Sequence, residues 1–157
     1  MVGSTVGGVK EKRARSTVSI ALLLCVVTVG GCWWRSYPAR MRTHTELLVA
    51  FARKGRDLVA TGRFTAESLP ELTYPLERAS AFGAEAAQRA SPPPASLVAF
   101  DALLARYRTF VELLDDVRRT KRGPAGAEEL AQPLADVEGA AREVTSALDR
   151  EAGSGAR

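Results

Sequence analysis

Residues 94–120 read PASLVAFDALLARYRTFVELLDDVRRT, and they carry the most regular apolar pattern of the chain. One apolar stripe steps by three and four residues and consists of Leu97, Phe100, Leu104, Tyr107, Val111 and Leu114. A second set widens this stripe, namely Leu103, Phe110, Leu113 and Val117. Such spacing places the side chains on one face of an α-helix. The pattern predicts a helix over 94–120 that is deeply buried among its neighbours.

Sequence signals mark both ends of this predicted helix. Residues 91–94 read SPPP, and three prolines cannot continue a helix interior. At the other end come cations that suit the negative end of a helix dipole, and then Gly123 and Pro124. The helix is therefore expected to end close to residue 120.

Two further segments show the same period. The first predicted helix covers 39–62, with Gly62 as its C-terminal cap and a seam of Met41, His44, Leu48, Phe51, Gly55 and Leu58. The last covers 126–152, with Leu130, Leu134, Val137, Ala141, Val144 and Leu148. Pro133 either kinks this last helix or marks its true beginning.

The second predicted helix has two alternative starts. Ser68 with Glu71 has the spacing of a capping box, whereas Thr73 with Pro75 in the first turn indicates a later start. The earlier start would place Pro75 inside the helix, where we expect a kink. The residues that form its seam become small towards the C-terminus of the helix, namely Ala79, Gly83, Ala86 and Ala90. Close approach of another helix explains that stripe, and an apolar ligand cavity is the alternative.

Four amphipathic helices with short connections favour an all-α fold, an antiparallel up-down four-helix bundle over residues 39–152. Alternating apolar and polar residues, the sign of strands, do not compete anywhere in the sequence. Residues 153–157 read GSGAR and are expected to form a disordered tail.

The N-terminal region has the organisation of a secretory signal peptide. Four basic residues lie within 10–15, an apolar run covers 16–28, and Val29, Gly30, Gly31 and Cys32 follow. These four residues resemble the lipobox of bacterial lipoproteins. The resemblance implies a diacylglyceryl group on Cys32, cleavage after Gly31 and acylation of the new N-terminus, with palmitate as a typical chain. The alternative is an uncleaved anchor over 16–34, whose 19 residues barely span a bilayer.

The same resemblance gives the expected location. Residues 1–31 would be a cleaved signal peptide, and residues 32–38 a lipid-anchored, membrane-proximal segment of the bacterial cell envelope that faces the extracytoplasmic side. Trp33, Trp34 and Tyr37 suit the headgroup region of the membrane. The residue directly after Cys32 is Trp33, and not the aspartate that is associated with retention of lipoproteins in the inner membrane. Where two membranes exist, this favours the outer one.

Charge and cysteine content both change when the leader is removed. The whole chain has 22 basic and 18 acidic residues, a net charge of +4. The leader holds four of the bases and one of the acids, so 18 and 17 remain in 126 residues. A nearly neutral domain has no charge field for nucleic acid. Cys25 leaves with the leader and Cys32 would be alkylated, so no thiol remains for a disulfide, a metal or catalysis.

Catalytic and metal-binding patterns are missing from the remaining sequence. Its single histidine, His44, has only Met41 as a nearby soft ligand, on the same helix, so a structural role is predicted and no metal or cofactor is expected. The acidic pairs 115–116 and 128–129 are adjacent, and neighbours on a helix point about 100° apart. We therefore expect a protein that is not an enzyme.

What remains is an interaction or structural module that acts through its helical surface. The ends of the first and third helices should share one pole, which would gather Arg63, Arg118, Arg119, Lys121 and Arg122. These cations form a candidate patch for an envelope protein or an anionic wall polymer, and dipole compensation with solubility is the alternative explanation. The alternative function is a small apolar-ligand-binding bundle that uses space beside Ala79, Gly83 and Ala86.

Overall fold

A computed structural model describes the backbone of residues 10–154 and the side chains of residues 33 and 35–154. Its α-helices are α1 (Lys10–Ala60), α2 (Ser68–Arg89), α3 (Ala95–Arg119), α4 (Gly126–Glu129) and α5 (Ala131–Ser154), with a 3₁₀ turn over Gly123–Ala125. Over these residues the chain contains no strand, and the predicted all-α class is confirmed. Five helices are found, so the up-down four-helix bundle is not confirmed in that form. The chain divides into two compact units, Met1–Pro38 and Ala39–Arg157.

The first unit carries the predicted leader and the segment after it. Residues 1–9 and the side chains of 10–32, including Val29 to Cys32, lie outside the described part, so cleavage and lipidation stay predictions. Backbone residues 32–38 belong to α1. The rings of Trp33 and Tyr37 lie 5.5 Å apart, and the Ser36 hydroxyl donates to the Trp33 carbonyl at 2.9 Å. Within the described residues, no helix is both long enough and apolar enough to cross a membrane.

Helix α3 supplies the centre of the second unit, as its apolar stripe predicts. Fully buried side chains come from this helix and from each of the other long helices, and they include Met41, Leu48, Leu72, Phe100, Leu103, Tyr107, Phe110, Leu114 and Val137. A domain of this kind is stabilised by the apolar area that it removes from water, about 25 cal/mol per Å². The four long helices thus share one core.

Two ion pairs fix the direction and register of α1 against α5. Arg42 contacts Asp149 at 2.6 Å, and Arg53 contacts Glu138 at 2.7 Å. Residue numbers rise along α1 as they fall along α5, so the two helices are antiparallel. Both pairs are exposed, and their energy is small, roughly 0–1 kcal/mol each. They report the geometry more than they stabilise it.

Helices α2 and α3 are also antiparallel. The rings of Phe82 and Phe100 meet edge to face at 5.8 Å. Ten residues earlier on α2 and seven residues later on α3, the buried Tyr107 hydroxyl donates to the Leu72 carbonyl at 2.7 Å. The Tyr107 phenol thus adds a buried hydrogen bond between α3 and α2.

The starts of the later helices settle two alternatives. Helix α2 begins at Ser68 and contains Pro75, so the later start at Thr73 is wrong. The capping box is wrong as well, because the N-cap is Glu67 and no side chain caps it. Helix α5 begins at Ala131, which places Pro133 in its first turn as a marker of the start.

The ends of the long helices differ in how closely they follow the predictions. The Gly62 cap is confirmed, with φ 67°, its N–H on the Val59 carbonyl and the Arg63 N–H on the Leu58 carbonyl. Gly153 and Ser154 complete α5, and residues 155–157 of the predicted tail lie outside the described residues.

Candidate functional site

A hollow of about 200 Å³ lies between the ends of α1 and α3. Its lining is apolar with a cationic rim and consists of Val59, Gly62, Phe64, Val117, Arg118, Lys121 and Gly123. Arg63 is not one of the lining residues, but it lies between two of them, Gly62 and Phe64, in the sequence. The structure therefore brings the ends of the first and third helices to one pole, where the candidate patch was expected.

Three of the five predicted cations have acidic partners. Asp115 accepts from Arg118 at 2.6 Å and also from Arg119. The hydrogen bond from Arg118 is the largest cause that holds the pKa of the Asp115 carboxyl below its usual value. Arg122 contacts Asp116 at 2.6 Å. These ion pairs partly neutralise the three cations. Dipole compensation with solubility stays a prediction.

Arg122 has a second acidic partner beyond α3. Its guanidinium also donates to Glu129 of α4. The hydrogen bond to Glu129 is the main reason that the pKa of Arg122 is raised. Arg122 therefore links Asp116 of α3 with Glu129 of α4 across the turn between the two helices.

Arg63 and Lys121 differ from the other three cations. In residues 33 and 35–154, neither of them forms an ion pair, and both are exposed. Arg63 donates from Nε to the Thr61 hydroxyl at 3.2 Å. The net positive character of the pole thus rests on these two side chains.

Lys121 also has an unusual backbone. Its φ is 51°, a left-handed conformation that favours glycine, and it terminates α3 by donating its N–H to the Arg118 carbonyl at 3.2 Å. Gly62 has the same role at the end of α1. Left-handed backbone costs a residue with a Cβ about 1–2 kcal/mol. Sequence reasoning missed this feature, since the presence of Gly123 nearby pointed to glycine as the terminating residue.

The small-residue stripe of α2, the basis of the alternative function, packs against α3. Ala79, Gly83 and Ala86 are buried. A Cβ on Gly83 would lie 3.6 Å from Leu104 Cδ1 and 3.7 Å from Phe100 Cδ1, which is ordinary contact. Side chains of α3 therefore lie directly beside the stripe, although a Cβ could also be accommodated at Gly83.

His44 lies on α1 in an aromatic contact. Its ring stacks on Phe82 at 5.0 Å, and the Arg40 guanidinium lies 4.9 Å from the centre of the same Phe82 ring. Burial lowers the pKa of His44, and the positive charges of Arg40 and Arg78 add to that effect. In the part of the chain with described side chains, no group of three or more metal-ligating residues is found.

The comparisons with known proteins give no family for this chain. No protein-family model, curated protein or solved structure matches it.

Proposed function

We propose that this chain is a lipid-anchored protein of the bacterial cell envelope that acts without catalysis, as an interaction module on the extracytoplasmic side. The support for the anchor is sequence alone, the run Val29-Gly30-Gly31-Cys32 after a basic and then apolar leader. The support for the module is the surface of the second unit.

We propose further that this unit works as an up-down four-helix bundle. The part of α1 after Pro38, together with α2, α3 and α5, would supply its four long helices, and α4 would be a one-turn lead into α5. The antiparallel pairing of α1 with α5 and of α2 with α3 supports this arrangement. In such a bundle the candidate pole stands at one end.

The single observation that supports this site is the left-handed backbone conformation of Lys121. A glycine would be more stable at this position, yet the chain has a lysine whose ammonium group is exposed on the rim of an apolar hollow without an ion partner. Backbone strain at such a position indicates a functional side chain. We propose that Lys121 and Arg63 bind the anionic group of a partner, whose apolar part rests on Phe64 and Val117.

Two probes test the site, polyphosphate and poly-L-glutamate, each immobilised on a resin. We expect Lys121→Glu and Arg63→Glu each to weaken retention of the full chain several-fold, since each variant replaces a favourable charge by a repulsive one. Lys121→Gly should also weaken retention, and Lys121→Arg should not. Arg108→Glu, an exposed charge reversal in the middle of α3, is the matched control. Equal effects of Lys121→Glu and Arg108→Glu would exclude the pole as the site.

The anchor has its own test. Cys32→Ala should leave an unprocessed precursor that takes up no labelled palmitate, because the thiol is the acceptor of the lipid. Cys25→Ala is the matched control and should be labelled and cleaved normally. Normal cleavage and release of the Cys32→Ala chain would contradict the anchor.

A further inference from the structure

A second, larger depression lies between α1 and α5, with a volume of about 530 Å³. Its floor is formed by small or short apolar side chains, among them Val49, Ala50 and Ala141. Small side chains on two neighbouring helices allow a second pair of helices to pack closely against them. We call this depression the α1–α5 groove.

Two charged residues that line the α1–α5 groove lack ion partners. Glu46 of α1 and Arg142 of α5 carry opposite charges on opposite walls, both are exposed, and neither forms an ion pair within the described side chains. Thr45 is only 4% exposed, and its hydroxyl has no hydrogen-bond partner. A buried hydroxyl without a partner costs about 1–3 kcal/mol. The exposed charges of Glu46 and Arg142 can therefore bind a partner, whereas the enclosed Thr45 hydroxyl is out of a partner's reach.

The register of the two helices places these groups at defined heights. Arg42 faces Asp149, so Thr45, three residues further along α1, is level with Ser146, three residues earlier on α5. Arg53 faces Glu138, so by the same argument Arg142 is level with Val49. Glu46 then lies three residues from the level of Arg142, about 4.5 Å along the axis. A long side chain easily covers that difference.

We propose that a second copy of this chain closes the α1–α5 groove, with a two-fold axis parallel to the helices. Rotation about such an axis keeps every height and every helix direction. Helix α1 would therefore face α5 of the second copy, antiparallel and in the same register. Glu46 would pair with Arg142 of the second copy, and symmetry repeats that pair.

Charge complementarity selects this occupant. The groove has one unpaired anion and one unpaired cation on opposite walls, and the same surface turned by 180° presents the two charges in the reverse order. A two-fold interface needs such self-complementarity. Both copies of Ala39 would lie at the same end of the dimer, so both chains can start from one membrane. The dimer does not depend on the lipid, nor on the pole that carries Arg63 and Lys121.

Charge swaps test the dimer in the full chain. Two copies with different C-terminal tags are expressed together and extracted in mild detergent, one tag is captured, and the other is quantified. Glu46→Arg in both copies places like charges at both pairs, as does Arg142→Glu in both copies. We expect co-capture to fall about tenfold or more in each case, because like charges in contact oppose association strongly.

Mixing the two variants gives the decisive result. A Glu46→Arg copy and an Arg142→Glu copy restore opposite charges at both pairs, so co-capture should return to the level of the unmodified chain. Glu143→Arg and Arg108→Glu change exposed charges outside the groove and should leave co-capture unchanged. Failure of the mixture to recover, or absence of co-capture for the unmodified chain, would overturn the dimer.

Discussion

Glu151 of α5 caps the N-terminus of α3 through Ser96. One oxygen of its carboxylate accepts the Ser96 N–H at 2.8 Å, and the other accepts the Ser96 hydroxyl at 2.7 Å. The N-cap residue of α3 is Pro94, whose side chain forms no cap hydrogen bond. The positive end of the helix is therefore satisfied by a carboxylate 55 residues away in the sequence.

The first prediction concerns this cap. Glu151→Ala should lower the free energy of unfolding by about 1 kcal/mol, the usual effect of losing a helix cap. Glu151→Gln keeps one acceptor oxygen and should lose less. Urea denaturation measures both variants. Glu112→Ala, an exposed acid of α3, is the control, and an equal loss there would show that the cap adds nothing.

The second prediction concerns the phenol between α3 and α2. Tyr107→Phe should destabilise the chain by about 1 kcal/mol, because the buried hydrogen bond to the Leu72 carbonyl is lost while the ring still fills its space. Tyr74→Phe removes a hydroxyl from a residue that is 59% exposed and should be nearly neutral. Thermal or urea unfolding compares them. Similar small effects of both variants would contradict a role for the hydrogen bond.

The third prediction is a pH dependence that originates at His44. Its pKa in the folded chain is below the ordinary 6.5, so the unfolded chain binds a proton first as the pH falls. The contribution of His44 to stability should therefore be complete above pH 6.5 and decrease as the pH falls from there through the folded pKa.

The single histidine of the chain makes this measurement direct. Its imidazole resonances in an NMR titration should report the lowered pKa. Unfolding free energies taken in steps below pH 6.5 should decrease faster for the native chain than for His44→Gln. An identical pH dependence of the two would contradict the prediction.

The fourth prediction compares two helical glycines. A Cβ on Gly126 would lie 2.3 Å from Cγ1 of the buried Val117, so Gly126→Ala should cost about 1–3 kcal/mol through overpacking. A Cβ on Gly139 would meet only the end of Arg142, at 3.8 Å. Gly139→Ala should therefore stabilise the chain, by up to about 1 kcal/mol. Denaturant midpoints measure both, and the same sign for the two would refute this explanation.

The fifth prediction follows from the backbone of Lys121. Lys121→Gly should raise the free energy of unfolding by about 1 kcal/mol, because glycine adopts the left-handed conformation without a Cβ clash. Arg119→Gly, in the last regular turn of α3, is the control and should destabilise by a similar amount. A Lys121→Gly chain that is less stable than the native one would show that the left-handed backbone is not strained.

The helical periodicity and the helix ends could be predicted from the sequence, because both depend on residues that are close together in the chain. The apolar stripe of α3 predicted that this helix is buried, since a spacing of three and four residues places the apolar side chains on one face. Gly62 predicted where α1 ends, because a left-handed helix cap favours a residue without a Cβ. The capping box predicted from Ser68 and Glu71 was wrong, since this spacing is common in sequences and the N-cap of α2 is Glu67.

The sequence by itself determined that the chain is helical and where α3 begins and ends to within a residue, and it predicted a cationic patch where α1 and α3 end. Only the tertiary structure decided which cations are neutralised, because Arg122 finds Glu129 across the turn to α4. It also decided that Lys121 takes the left-handed position and that Glu46 and Arg142 stay unpaired beside the α1–α5 groove. Local spacing fixes which face a side chain occupies, whereas its partner depends on the register between helices that are distant in sequence.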